Sequence, residues 1–246
     1  MKGTEQQLEH TAAADQMKAR REMQRLYERA PMETQDLLFN LGLFVRSGLL
    51  VKFLVVAELY QRAMKVPGVM LEAGVWYGQT LALLENCRAI FEPFNKQRRI
   101  VGLDTFRGYK EGKYVGTGIY STGADYQKYL LKLLRTMARA NVYGHQPCPH
   151  ELIEGDVEHS APAYFAAHPE LTVALAVIDI GPYSPTKAVL KAIKPRLLPG
   201  SLVLLDEFTL ADTPGEARAW LEVMGTRGYR LEPLKFYPSK CVAEIL

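Results

Sequence analysis

Val66-Pro67-Gly68-Val69-Met70-Leu71-Glu72-Ala73-Gly74-Val75-Trp76-Tyr77-Gly78 is the stretch on which the reading of this chain turns. The apolar run Val69 to Leu71 ends in an acid, two glycines follow four positions apart, and a helix start is legible at Gln79-Thr80. This is the pattern of a strand, a tight turn and a helix. Gly74 and Gly78 allow the turn to fold sharply and let a ligand approach bare backbone. Rossmann dehydrogenases and ligand-free α/β proteins share such a turn, so the reading rests on what flanks it.

Upstream, residues 1–30 are rich in Gln, Glu, Lys and Arg and read as an arm, partly disordered or helical near Ala14 to Glu28. Leu37, Leu38, Leu41, Phe44 and Val45 then recur at helical spacing. A second helix follows through Leu50, Phe53, Leu54, Ala57 and Tyr60, and Pro67-Gly68 stops it. Both helices are expected to cover one face of the sheet.

Downstream, Leu81 to Phe91 reads as a helix and Arg99 to Asp104 as a second strand ending in an acid. Asp104 lies 26 residues past Gly78, a slightly long version of the spacing at which an acid meets ribose hydroxyls. The stretch from Arg107 to about His150 is glycine- and tyrosine-rich, with a helix from Ala124 to Ala140, and is expected to form a lid-like insertion. Leu152 to Asp156, Leu171 to Asp179 and Ser201 to Asp206 read as three further strands, the second apolar enough to be buried on both faces. The tail predicts a helix over 214–224 and a strand over 229–236. A turn at Tyr237 to Lys240 and a returning strand over 241–246 complete it. Residues 31–246 are therefore read as one α/β domain, a mostly parallel, doubly wound, seven-stranded sheet closed by an antiparallel hairpin.

Bulk properties agree. The 246 residues suffice for one domain with a full core, and the contents of 48% hydrophobic and 23% charged residues are ordinary. A net charge of +3 with scattered basic residues gives no expectation of nucleic acid. Cys87, Cys148 and Cys241 are too far apart for a disulfide framework. No signal core opens the chain, and Leu49 to Ala57, the most apolar segment, is interrupted by Lys52 and too short to span a bilayer. A cytoplasmic protein is expected.

Five strands end in acids: Glu72, Asp104, Asp156, Asp179 and the pair Asp206-Glu207. Ligands of such sheets bind beyond these ends. Asp179 with Asp206 and Glu207, from adjacent strands, offer hard oxygen ligands to a Mg²⁺-like ion. The competing reading is that these acids cap helices starting near Ser184 and Thr213.

The same residues resemble the macrocin O-methyltransferase family. The likeness is carried by Val66-Pro67-Gly68, Glu72 with Gly74-Val75-Trp76 and Gly78, and Asp104-Thr105-Phe106-Arg107-Gly108. Asp179 with Tyr183, Leu198-Pro199-Gly200, Asp206-Glu207-Phe208, Pro214-Gly215 and Ala217 complete it. The chain departs from the family at Tyr77, where Arg is usual, and at Gly181, where a second acid is expected. It departs again at Glu207 and Phe208, in place of Asp and Tyr. The resemblance implies a Rossmann-like class I methyltransferase that uses S-adenosylmethionine on a sugar hydroxyl of a glycosylated, antibiotic-type natural product. The cofactor set it implies is Glu72, Ala73, Gly74, Trp76, Gly78 and Thr80 at the turn, and Asp104, Thr105 and Phe106 after the second strand. Gly155, Asp156 and Val157 after the third strand and Asp179 after the fourth complete that set. It further implies Mg²⁺ on Asp179, Asp206 and Glu207, Asp179 as catalytic base, and a small glycoside as partner; a homo-oligomer is expected separately. A metal-dependent catechol or phenol methyltransferase shares these acids. A dehydrogenase is disfavoured by the turn spacing, and a non-catalytic nucleotide-binding protein by the acids at every strand end.

Overall fold

The computed structural model describes residues 13–110, 115–123, 125–141 and 149–246. The chain enters through α1 (Ala14–Glu28), α2 (Thr34–Phe39) and α3 (Ser47–Ala63). It then alternates β1 (Val69–Ala73), α4 (Gln79–Phe91), β2 (Ile100–Asp104), α5 (Tyr126–Ala140), β3 (His150–Glu154) and α6 (Val157–Ala167). After these come β4 (Val173–Ile178), α7 (Tyr183–Ile193), β5 (Leu197–Leu205), α8 (Gly215–Met224), β6 (Tyr229–Leu234) and β7 (Tyr237–Ile245). The seven strands form one sheet in the order β3-β2-β1-β4-β5-β7-β6. The first five are parallel, and β7 runs antiparallel to both β5 and β6. The expected sheet and its closing hairpin are both present.

Period-two alternation splits the apolar residues between two layers. Met70, Ile100, Leu175 and Leu202 pack under α3, α4 and α5. Leu71, Val101, Ala176 and Val203 pack under α6, α7 and α8. Every residue of β1 and β4 is buried, as a parallel strand covered on both faces requires. Arg98, itself buried, donates to the carbonyls of Met64, Val66 and Gly68 and so fixes the loop that leads into β1. The chain leaves β1 toward β2 on one side and returns through β4 on the other. The crevice at their carboxyl ends is thus the topological switch point of the sheet.

Two local expectations are corrected. The apolar residues of 37–45 do not form one sheet-covering helix. α2 stops at Phe39, the Asn40 side chain donates to the Asp36 carbonyl, and a 3-10 turn follows over Leu41–Phe44. Only α3 reaches the sheet, and Leu38, Phe39 and Leu43 stay exposed. The hairpin turn expected at 237–240 sits instead at Lys235-Phe236, because Leu234 pairs with Tyr237 and residues 237–240 already belong to β7. Within the insertion the expected helix is present: α5 buries Leu130, Leu134 and Ala138, one helical turn apart, and packs on α4 and β3. Residues 111–114, 124 and 142–148, and 1–12 of the N-terminal arm, lie outside the described residues.

Candidate active site

A cavity of about 450 Å³ opens at the switch point, within the range of sites for nucleoside-sized ligands. Each of the five parallel strands contributes to its wall: Gly74 and Trp76 after β1, Asp104 and Thr105 after β2, Asp156 and Val157 after β3. Asp179 after β4 and Asp206 with Glu207 after β5 complete it. The remaining residues expected at the cofactor stand behind the wall. Glu72, Ala73, Thr80 and Phe106 are buried, Gly78 meets Leu130 of α5, and Gly155 stands beside Ser160 of α6.

The glycine turn has two different jobs. At Gly74 (φ +92°) a side chain would place its Cβ 1.9 Å from the Asp179 carbonyl oxygen, so only glycine lets the end of β1 touch the end of β4. Gly78 is the residue before α4, and a Cβ there would strike the Leu130 side chain at 2.6 Å. That glycine serves helix packing. Between them, Trp76 is held at φ +50°, and Phe106 and Tyr120 are held at φ +56° and +64°. Three non-glycine residues in the left-handed region around one cavity are the kind of strain that collects at functional sites.

Asp104 ties this turn to β2. Its Oδ2 accepts the backbone N–H groups of Val75 (2.6 Å) and Trp76 (2.8 Å), and its Oδ1 accepts that of Phe106 (2.7 Å). A carboxylate has about four lone-pair sites, so one more donor can still be accepted. Asp156 caps α6 through the Glu158 N–H and meets the Lys110 ammonium at 2.9 Å, which holds its carboxyl below the usual range. Lys110 and Arg107, the latter paired with Glu154, fasten the loop after β2 to the end of β3. In the same loop, Tyr109 and Tyr120 stand edge to face at 5.3 Å and Tyr120 meets Trp76 at 5.6 Å, an aromatic wall over the acids. Burial and the charges of Asp179 and Glu207 raise the Tyr109 phenol well above its ordinary range, so it stays a neutral donor.

Asp179 is exposed to the cavity, and its backbone N–H is fixed by the Ala73 carbonyl. The next two acids are occupied differently. Asp206 forms an ion pair with Lys240 of β7. Glu207 is held at its backbone by Glu216, the second residue of α8. Glu216 is wholly buried: its Oε2 accepts the Glu207 N–H at 2.8 Å and its Oε1 the Gly181 N–H at 3.3 Å. Burial pushes its carboxyl up to about 8. Gly215 permits this docking, since a Cβ there would lie 2.3 Å from the Gly181 carbonyl oxygen. Glu72, whose Oε2 has no hydrogen-bond partner, is likewise pushed up to about 8 by burial, against the opposing field of Lys52.

These arrangements do not fit the expected magnesium site. Among the described residues, no three His, Cys, Asp or Glu side chains converge closely enough to hold a metal ion. Asp206 already faces an ammonium group, and Lys52 lines the same cavity. The cofactor fares better: the cavity volume, the bare backbone at Gly74 and the carboxylates of Asp104 and Asp156 on one wall suit an adenosyl group. Sequence reasoning missed Lys52, Tyr109, Tyr120, Lys240 and Glu216 as individual site residues. The tyrosine-rich loop and the one charge inside the apolar run of α3 were visible signals. Lys240 and Glu216 carried none.

A seven-stranded sheet of this order, with a nucleoside-sized cavity above its glycine turn, defines the protein as an α/β methyltransferase fold. The methyltransferase domain family matches residues 71–208, more than half of the chain, and the chain belongs to that family. It is a methyltransferase, and S-adenosylmethionine is the cofactor the family implies. The chain is 33% identical to CalS11, a calicheamicin methyltransferase, over 95% of this chain and 93% of that one, with a TM-score of 0.88. A second structure, of apo CalS11, is described as a TDP-rhamnose 3'-O-methyltransferase of calicheamicin biosynthesis. It aligns at 33% identity and a TM-score of 0.84 over 95% of both chains. The O-methyltransferase NovP shares the fold, at 16% identity and a TM-score of 0.60 over 79% of each chain. No curated protein matches at the sequence level. Among the described residues, no helix is long and apolar enough to cross a membrane.

Proposed function

We propose that this protein is an O-methyltransferase that carries a methyl group from S-adenosylmethionine to a hydroxyl of a sugar, on a nucleotide-linked sugar or a glycosylated natural product. The narrower macrocin-type resemblance belongs to this same reading. The observation that carries it is the 33% identity to CalS11 over nearly the whole of both chains. The cavity supports it: an aromatic wall of Trp76, Tyr109 and Tyr120 offers the flat surfaces on which sugar rings rest, opposite an exposed carboxylate.

The sulfonium methyl is already activated, so the protein's task is alignment and proton removal. Gly74, Trp76, Asp104, Asp156 and Val157 would hold the cofactor, Asp104 at its ribose hydroxyls and Asp156 with Val157 at its adenine. Asp179 is the base. The bound cofactor would supply the methyl group and keep the electron pair of its sulfur–methyl bond, while the Asp179 carboxylate takes the proton of the acceptor hydroxyl. Tyr109 and Tyr120 flank the acceptor side. We take the protein to be a cytoplasmic enzyme of small glycosides, without a nucleic-acid partner. The exposed apolar residues of α2 and the turn after it are taken to pair with a second copy of the chain.

A mass-shift assay with S-adenosylmethionine tests the reading, using TDP-rhamnose, a panel of glycosides and a panel of catechols as acceptors. Transfer to sugars, lost by about 10²-fold in Asp179→Asn with cofactor binding intact, is the expected result. Transfer to catechols alone overturns it.

A further inference from the structure

We propose that two lysines, Lys52 and Lys240, supply the positive charge at the acceptor side of this site, and that methyl transfer here needs no divalent metal. The inference rests on the methyl-transfer reading above and says how that site manages its acids.

The register of the sheet places Lys240. Leu205 of β5 pairs with Cys241 of β7, so the next pair outward sets Asp206 against Lys240. The Thr209 N–H donates to the Ser239 carbonyl and fixes the start of β7 over the loop that carries the acids. The Lys240 ammonium makes an ion pair with Asp206 and stands 5.3 Å from the Tyr237 ring centroid, a second favourable contact for a cation. Burial pulls this amine down, while the Asp206 contact and the field of Asp179 favour its charged form. Asp206 therefore already has the partner that a metal ion would otherwise be.

Lys52 comes from the opposite layer. It projects from α3 to line the cavity, and among the described residues no carboxylate lies within ion-pair distance of it. Its field is nevertheless felt at both Glu72 and Lys240, on the cavity that Asp206 also lines. An unpaired ammonium on a cavity wall that also carries Asp179 can donate to the acceptor oxygen. There it stabilises the negative charge that develops as the proton leaves for Asp179. A divalent cation in this place would face two ammonium groups across low-dielectric walls, which strengthens their repulsion. Only the hydroxyl proton moves in this step, and neither lysine changes its proton count.

The test uses Mn²⁺ as a probe, read by electron paramagnetic resonance, beside turnover with TDP-rhamnose. The wild-type protein is expected to leave the free Mn²⁺ signal unchanged and to keep its rate after exhaustive chelation. Lys240→Ala, which uncovers Asp206, is expected to take up Mn²⁺. Lys52→Ala is expected to lose about 10²-fold in kcat with unchanged S-adenosylmethionine affinity, and ethylamine or Lys52→Arg should restore part of the loss. Stoichiometric Mn²⁺ binding by the wild type, with activity lost on chelation and regained with Mg²⁺, overturns the proposal. So does a Lys52→Ala enzyme of normal kcat. The wild-type arms need no variant to fold. A wild type that methylates no sugar at all defeats the functional reading instead, so the two failures are separable.

Discussion

The Glu216 carboxyl accepts the backbone N–H of Glu207 at 2.8 Å from a wholly buried position at the start of α8. Its other oxygen accepts the Gly181 N–H, so one side chain joins the loops after β4 and β5, the two that carry Asp179, Asp206 and Glu207. Glu216→Ala leaves both donors without their partner and is expected to cost about 1–3 kcal/mol of stability. Turnover should fall further, by about 10²-fold, because small displacements of reacting groups are costly. Denaturant melts and kcat on the same preparation check this, and a variant as stable as the wild type would refute the bridging role.

Asp104 holds the glycine turn through three backbone donors and keeps room for one more. Asp104→Ala is expected to lower the melting temperature and, in the protein that remains folded, to weaken S-adenosylmethionine by about 1.5–3 kcal/mol, the worth of a hydrogen bond to a charged group. Calorimetry at low temperature separates the two effects. Unchanged affinity would leave Asp104 a purely structural residue.

Glu72 sets a pH dependence whose sign can be worked out. Its carboxyl is raised from 4.5 to about 8 in the folded protein. The folded state therefore holds this proton more tightly than the unfolded chain does. The stability this contributes is complete below about pH 4.5 and is lost as the pH rises to about 8. Glu72→Gln cannot ionise, so its stability relative to wild type should grow across that window, by up to about 5 kcal/mol. Glu216, raised to about 8 as well, keeps part of the slope in the variant. Parallel stability–pH curves for the two proteins would show that Glu72 does not carry the effect.

Phe39 is 91% exposed, and Leu38 and Leu43 beside it are also open to solvent. Apolar residues grouped in this way mark interaction surfaces. If this face joins two copies, Phe39→Glu with Leu43→Glu should convert an oligomer to a folded monomer in analytical ultracentrifugation. A wild type that sediments as a monomer removes the oligomer from the account.

The sequence by itself determined the order of elements, the sheet class and the line of acids at its carboxyl edge. Those features are local: a run of Val, Ile and Leu must be buried whatever surrounds it, and a strand that ends at a turn presents its last side chain there. Gly74 was legible as a turn residue, and Asp104 as the acid that follows the second strand. Tertiary structure alone decided what each acid faces. Nothing near Asp206 in sequence announces Lys240, because an antiparallel register across 34 residues brings the two together. Glu216 reads as an ordinary acid in the first turn of a helix until α8 docks against β4 and β5 and buries it between two N–H groups. What the three acids expected at magnesium face was out of reach of the sequence for the same reason. Spacing shows which carboxylates share an edge of the sheet, while the cations that neutralise them arrive from α3 and β7, elements distant in the chain.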